Sequence, residues 1–498
     1  MEKTRVIYQK DYEIGQVDPR IFSGFIEHLG RAIYEGVYDP KSPHADENGF
    51  RKDVLDALRR MQFTAIRYPG GNFVSGYHWQ DGIGPKENRP TVRDLAWQSL
   101  EPNQFGTDEF MTLSHMMGWD PTISVNQGSG TMEEAGNWVE YCNSPVGTKF
   151  ADMRAANGRR DPYGVKLWFL GNEMDGYWQI GHMPADQYAL KAQQTAQVMK
   201  YTDPSIELVA AGSCKVENPT YLAWDRTVLE YIGDYADYIS LHRYVRNLNN
   251  DTLDYLAVSK SIDRQIEDID GICRYVQSIH NSKKRAWLCF DEWNIWYRAR
   301  TPAHKDGQGK FAPHLCEEQF NLEDALIVAG YLNSFIRHAD VLKIANLAQP
   351  VNAMGAMLTR EDLLLLQSIY YPFVMYSSRR NGVSLQPSVK GPVYDSPSYG
   401  QTNYIDTSAI KGEGKLHVFL SNRNLSEDAQ VEIEYPGGKL LSVESAEIVT
   451  GQSPKAMNTF EQPEIIKSEP FSEIQIVSGI ANIKLPPLSV VAITMVTG

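Results

Sequence analysis

Between residues 21 and 349 the chain repeats one unit eight times, a short apolar run followed by a longer stretch whose apolar positions recur at helical spacing. The runs are IFSGFIE (21–27), FTAIRYPGG (63–71), PTISVN (121–126), VKLWFLGNE (165–173), IELVAAG (206–212), ADYISLHRY (236–244), RAWLCFDEW (285–293) and VLKIANLAQ (341–349). Helical segments lie between them, from RKDVLDALRRMQ to EEQFNLEDALIVAGYLNSFIRH, and EDLLLLQSIYYPFVMYSS supplies the last helix after the eighth run. Strands that are apolar throughout and alternate with helices belong to a parallel sheet covered on both faces. Eight units predict a closed (β/α)8 TIM barrel, with an open doubly wound sheet as the competing arrangement.

From residue 381 the texture changes to short β-rich segments such as KLHVFLSN, AQVEIEY and SVVAITMVT, separated by Gly, Pro and Asn turns. This predicts an antiparallel, jelly-roll-like β-sandwich. At 498 residues the chain exceeds one ordinary core. The expected division is a catalytic barrel over 16–380 and a C-terminal β-sandwich over 381–498, joined by residues 1–15, which carry RVIYQ.

Composition narrows the function. A net charge of −14 disfavours nucleic acid and anionic membrane as partners, because both are bound through basic surface. The five cysteines are scattered without a CxxC pair, which argues against a disulfide framework or a zinc site. The histidines His28, His78, His182 and His242 form no HExxH, and NQGSGTMEE lacks a nucleotide-loop spacing, so no metal and no cofactor are expected. No apolar run is long enough to span a membrane, and the opening MEKTRVIYQKDYEIGQ has no signal-like apolar stretch, which predicts a cytoplasmic protein.

In a parallel barrel, reacting groups project from the C-terminal ends of the strands. Those ends carry Glu27, Arg67 with Asn72 beyond it, Asn126, Asn172 and Glu173, His242 and Tyr244, Glu292, and Gln349. Glu173 follows LWFLGN and Glu292 follows AWLCFD, so two carboxylates cap two strongly apolar segments. Burying an unpaired carboxylate is costly. Two at one barrel mouth either form structural ion pairs at the rim or flank a bond, as the paired acids of glycoside hydrolases do.

The segments RYPGGNFVSGYHW, WFLGNEMDG, DEWN followed by Trp296, ISLHRY and NLAQ resemble, in order and approximate spacing, the motifs of α-L-arabinofuranosidases of glycoside hydrolase family 51. The resemblance covers nearly the whole chain and is weakest after residue 381. It implies that Glu173 is the acid/base and Glu292 the nucleophile. It further implies that Glu27, Asn72, Asn172, Tyr244 and Gln349 hold the furanose, while Arg67 braces them by pairing with a carboxylate. The family can carry Cys in place of Asn72 and has no fixed residue at Arg243, which leaves the subsite shape there open. The implied substrates are arabinose-containing oligosaccharides, and the implied assembly is a homo-oligomer, often a hexamer.

For a retaining hydrolase, two carboxylates ~5 Å apart at an effective dielectric of ~20 repel by about 3 kcal/mol. On this basis Glu173 is expected to stay protonated near neutral pH and to lose its proton once Glu292 becomes an ester. His242 is expected to support the site by hydrogen bonding, and Trp97 and Trp296 either line the sugar or pack in the core. The expected activity is release of terminal non-reducing α-L-arabinofuranosyl units from arabinoxylan or arabinan fragments. Alternatives are the same machinery acting on a β-D-xyloside, a galactofuranoside or a β-glucan, and a non-catalytic sugar-binding barrel.

Overall fold

The computed structural model describes residues 3–297 and 307–498. Eight parallel strands close into a barrel in sequence order: Ser23–Phe25, Ala65–Tyr68, Asp120–Ser124, Leu167–Leu170, Glu207–Ala210, Tyr238–Val245, Trp287–Ile295 and Leu342–Ala348. The first strand hydrogen bonds to the eighth, pairing Ser23 with Asn346 and Phe25 with Ala348, so no edge is left open. The closed barrel predicted from the eight units is the observed fold. Each strand falls within the predicted run or overshoots it by one or two residues.

The interior fills in layers. Leu167, Phe169, Val209, Tyr238, Cys289 and Ile344, from five different strands, form a small apolar cluster separate from the main core. Above it the guanidinium of Arg67 lies between the rings of Phe25 and Phe169, 4.6 and 4.9 Å from their centroids. The packed cylinder therefore ends in a charged layer, and chemistry begins there.

Helices follow most strands, with starts set by capping. Thr131 accepts from the Glu134 N–H at the start of Met132–Asn143, and Asn321 with Asp324 forms a capping box ahead of Leu322–Arg337. That last helix is buried from Leu322 to Ile336. A helix with no solvent face needs cover on every side, and a ten-stranded sheet supplies the second cover. Asp406 of this sheet accepts from Asn333 and Arg337 of the helix at 3.1 and 3.0 Å and pairs with Arg423 at 3.0 Å.

The ten-stranded sheet is built mostly from residues 383–497 and encloses its own core of Leu416, Val418, Val431, Ile433, Ile483 and Ile493, among others. Its two halves form the β-sandwich. The strand Thr4–Gln16 runs through its middle, antiparallel to Val383–Lys390 and parallel to Ala429–Glu434. That parallel pair departs from the all-antiparallel expectation.

Two local readings are corrected. EDLLLLQ is not helical: Leu363–Leu366 pairs with Met357–Arg360 in a hairpin, and the helix starts only at Tyr370. Four consecutive leucines offer no polar face to place a helix, and Glu361 takes the left-handed turn conformation (φ 54°). A helix over Lys149–Ala156 has no counterpart among the segments picked from the sequence.

Candidate active site

Arg67, at the tip of the second strand, is the hub. It is fully buried, and it donates through Nε to Ser124 at 2.9 Å, through Nη1 to Glu292 Oε1 at 2.8 Å and through Nη2 to Asn172 Oδ1 at 2.7 Å. Asp291 lies 3.3 Å from the same Nη1. One rigid fork thus fixes residues from three other strands or strand tips. The expected carboxylate partner of Arg67 is Glu292.

Neighbouring residues on one strand normally face opposite sides of a sheet, yet Asp291 and Glu292 both reach this cluster. The pairing explains it: Cys289 opposes Ser240 but Glu292 opposes His242, so the seventh strand carries one extra residue there. Such a bulge re-aims side chains. On the fourth strand Gly171 is left-handed (φ 86°), and a Cβ there would stand 2.7 Å from the Gln127 side chain. Glu173 follows, itself left-handed (φ 45°). At Gly71 a Cβ would lie 2.8 Å from Glu292 Oε1, so the PGGN turn needs glycine to let the acid in.

Glu173 and Glu292 meet at His242. One oxygen of each and a ring nitrogen all lie within 4.8 Å of one another. His242 Nδ1 is 3.0 Å from Glu173 Oε1 and 3.4 Å from Glu292 Oε2, while Nε2 is 3.2 Å from Asp291 Oδ1. The other Glu173 oxygen accepts from the indole of Trp178 at 2.6 Å, and Glu292 Oε2 accepts from the Tyr244 hydroxyl at 2.9 Å. Among the described residues, Glu173, His242 and Glu292 are the group with ligand atoms close enough to surround a cation. Those atoms are already engaged with one another and with Trp178, Tyr244 and Arg67.

Three carboxylates and one imidazole influence one another's charge here. Burial works against a charge on His242, but the Glu292 and Asp291 carboxylates, with hydrogen bonds to Asp291 and Glu173, push the imidazole well above its ordinary value. Burial also opposes ionisation of Glu173, yet the His242 hydrogen bond and charge, the Trp178 N–H and the Lys215 ammonium hold its carboxyl below the usual range. Glu292 is pushed up by burial, against the pull of His242 and Arg67 and with the push of Glu173 and Asp291. The ring faces three carboxylates while Glu173 faces the ring, so their mutual electrostatics favour the charged form of both His242 and Glu173.

Glu27 stands across the mouth. Its Oε1 accepts from the Phe73 N–H at 2.9 Å and the Trp97 indole at 3.0 Å, and its Oε2 lies 3.4 Å from Gln349 Nε2. Gln349 in turn accepts from the Glu27 N–H at 2.9 Å, as expected of neighbours on the first and eighth strands. Burial, with the Glu292 charge adding to it, pushes the Glu27 carboxyl up to about 8. Asn72 Oδ1 is 3.5 Å from Asn172 Nδ2. Trp97 is buried with its indole N–H on Glu27, so it anchors an acid from behind, whereas Trp296 packs edge-on against Tyr244, with centroids 5.4 Å apart. Every residue given a role in the site from sequence lies in this cluster or directly against it, whereas Asn126, at the third strand end, donates instead to the Tyr77 carbonyl and to Ser129. Asp291, Ser124, Trp178 and Lys215 were not singled out, although Asp291 stands within DEWN and Trp178 two residues beyond WFLGNEMDG.

A (β/α)8 barrel with two buried glutamates this close at the ends of its fourth and seventh strands defines a glycoside hydrolase. Residues 57–258 match the family model described as Alpha-L-arabinofuranosidase 1 domain, and residues 291–489 match Alpha-L-arabinofuranosidase C-terminal domain. The chain belongs to the α-L-arabinofuranosidases of glycoside hydrolase family 51. It is 42% identical to the intracellular exo-α-(1→5)-L-arabinofuranosidase 1 of Bacillus subtilis, over 94% of each chain. It is 43% identical to an intracellular exo-α-(1→5)-L-arabinofuranosidase of Acetivibrio thermocellus, over 88% of this chain and 89% of that one. The solved family 51 α-L-arabinofuranosidase of Bifidobacterium longum superposes with a TM-score of 0.95 at 34% identity, covering 99% of this chain and 100% of that one.

Proposed function

We propose that the protein is a retaining exo-hydrolase that releases terminal α-L-arabinofuranosyl units from arabinan or arabinoxylan oligosaccharides, with α-(1→5) linkages among its substrates. The observation that carries this reading is the separation of Glu173 and Glu292, whose oxygens approach within 4.8 Å. Double displacement needs roughly 5–5.5 Å between the carboxyl groups, whereas inversion needs roughly 6.5–9.5 Å to admit a water.

In this reading Glu292, aimed by Arg67 and Tyr244, attacks the anomeric carbon and forms an ester. Glu173 passes to the departing oxygen the proton it receives along its 3.0 Å hydrogen bond from His242 Nδ1, and is left ionised beside a neutral ring. The trigger is electrostatic. The Glu292 charge is the largest influence holding the proton on the ring, so esterification releases that proton toward Glu173. In the second half, the ionised Glu173 takes a proton from water, the water oxygen displaces Glu292 from the anomeric carbon, and the regenerated carboxylate draws the proton back to His242. Glu27, Asn72, Asn172 and Gln349 hold the ring hydroxyls. Asn172 faces the 2-hydroxyl, a contact that strengthens as charge grows at the anomeric carbon.

Location inside the cell is part of this reading, since the Bacillus subtilis and Acetivibrio thermocellus relatives are intracellular arabinofuranosidases. Division near residue 380 and assembly into a hexamer belong to the same proposal, and light scattering on the purified protein checks the latter. The activity is tested by incubation with α-(1→5)-arabinobiose and, separately, with 4-nitrophenyl α-L-arabinofuranoside in the presence of methanol. Release of arabinose and formation of the methyl α-glycoside are expected. Formation of the β-anomer, or no arabinose from either substrate, overturns the reading.

A further inference from the structure

A cleft of about 570 Å³ at the barrel mouth starts at Glu173, His242 and Tyr244 and runs away from Glu27, Asn72, Asn172 and Gln349, none of which lines it. The acid/base protonates the oxygen of the departing group, so space on this side of Glu173 is where that group stays while the ring occupies the other side. The volume lies within the roughly 300–1,000 Å³ typical of small-ligand sites.

Its far wall comes from the other end of the chain. Ser398 and Tyr399 line the cleft, and they sit at the tip of a hairpin formed by Val393–Ser396 and Gly400–Asn403. This hairpin is fastened to the barrel. Asp254 accepts from the Ser398 N–H at 2.9 Å and the Ser398 hydroxyl at 2.7 Å, and Lys260 Nζ donates to the Tyr399 and Gln401 carbonyls at 2.8 and 2.7 Å. The Tyr394 hydroxyl donates to the Leu253 carbonyl at 3.0 Å. A hairpin held at its base and its tip presents a fixed wall.

Arg243 faces the same space. Its Nη2 donates to Ser261 at 2.9 Å, but Nη1 is buried with no hydrogen-bond partner, and its nearest acid, Glu217, is 4.0 Å away on a side chain 76% exposed. A buried guanidinium nitrogen without an acceptor is costly unless something else fills the role. Lys215 lines the same cleft, its ammonium 3.6 Å from the centroid of the Trp178 ring, whose N–H holds Glu173.

We propose that Arg243 and the hairpin tip at Tyr399 form a leaving-group subsite for a neutral saccharide, with Arg243 Nη1 donating to a hydroxyl of the second or third sugar. The inference rests on the hydrolase reading above and adds a specificity role for a hairpin from outside the barrel. Cations and acids both line the cleft, Lys215, Arg243 and Arg246 against Glu217 and Asp251, so the subsite suits a hydroxyl-rich neutral chain and not an anion.

The test compares kcat/KM for α-(1→5)-arabinotriose with that for 4-nitrophenyl α-L-arabinofuranoside, whose leaving group extends only a short way past Glu173. In Arg243→Met and in Tyr399→Ala the triose-to-aryl ratio is expected to fall about ten-fold, mainly through a higher triose KM, in line with loss of a hydrogen bond from a charged donor. A ratio within two-fold of the wild type in both variants, or an equal fall on both substrates, overturns the subsite. Thermal melts identify any variant that fails to fold, and Arg243→Met leaves the hairpin intact. A wild-type protein inert toward both substrates sinks the hydrolase reading, whereas an active wild type with unshifted ratios sinks only the subsite.

Discussion

On the ring-facing side of Glu173 the polar groups are tied to one another: Arg67 to Ser124, Asn172 and Glu292, Glu27 to Phe73, Trp97 and Gln349, and Tyr244 to Glu292. On the far side, Arg243 Nη1 has no partner and Leu248 is 64% exposed. The first region is set before substrate arrives, so electrostatic stabilisation requires no rearrangement during the reaction. The second leaves donors for whatever chain is attached. The contrast suits an enzyme strict about the sugar it attacks and tolerant of what it releases.

The sharpest way to break this contrast is Glu292→Ala. Activity on every arabinofuranoside is expected to fall by about 10⁴-fold or more, and azide should restore turnover of the aryl substrate while giving the glycosyl azide of inverted configuration. A loss below ten-fold removes Glu292 from the role of nucleophile. Glu173→Ala comes next, with kcat/KM for arabinobiose down about 10²–10⁴-fold and a much smaller loss on an aryl glycoside whose leaving group needs no proton. Equal losses on both would contradict the proton-donor role.

Trp97→Phe keeps an aromatic ring, though a smaller one, and removes the N–H that Glu27 accepts. The expected outcome is a rise in KM of about ten-fold for all substrates alike, and a change confined to longer substrates would move Trp97 to the leaving-group side. The smallest effect concerns Glu27→Gln and is read in stability. The Glu27 carboxyl is pushed up to about 8, so between about pH 4.5 and 8 the folded state binds more proton than the unfolded one. Folding stability attributable to this group therefore falls as pH rises through that window. The glutamine variant lacks the liability, and its Tm relative to wild type should climb from pH 5 to pH 8. A flat difference shows that Glu27 ionises as an ordinary carboxylate.

The strands and their tips could be read from sequence because burial on both faces leaves uninterrupted apolar runs, and the barrel then dictates where the polar residue after each run must go. The leucines at 363–366 misled for the same reason: a run without polar positions has no period, and the turn at Glu361 decided the matter. Asp291 escaped because simple alternation along a strand turns it away from Glu292, and the bulge after Cys289 that brings both inward is a property of pairing with the sixth strand. The part of the imidazole in the electrostatics of the site also lay beyond the sequence. Pairwise repulsion between two glutamates is easy to foresee, whereas an imidazole placed against three carboxylates depends on three separate strand ends meeting.

The strand Thr4–Gln16, wedged between Val383–Lys390 and Ala429–Glu434, also bears on how the molecule is made. Translation adds about 5–20 residues per second, so this segment emerges tens of seconds before either neighbour exists. It waits as an open β-edge while the whole cylinder is synthesised and closes. A ribosome-bound chain halted short of residue 383 would carry that strand with both flanks bare, a stage at which a chaperone or a second nascent copy finds its easiest hold.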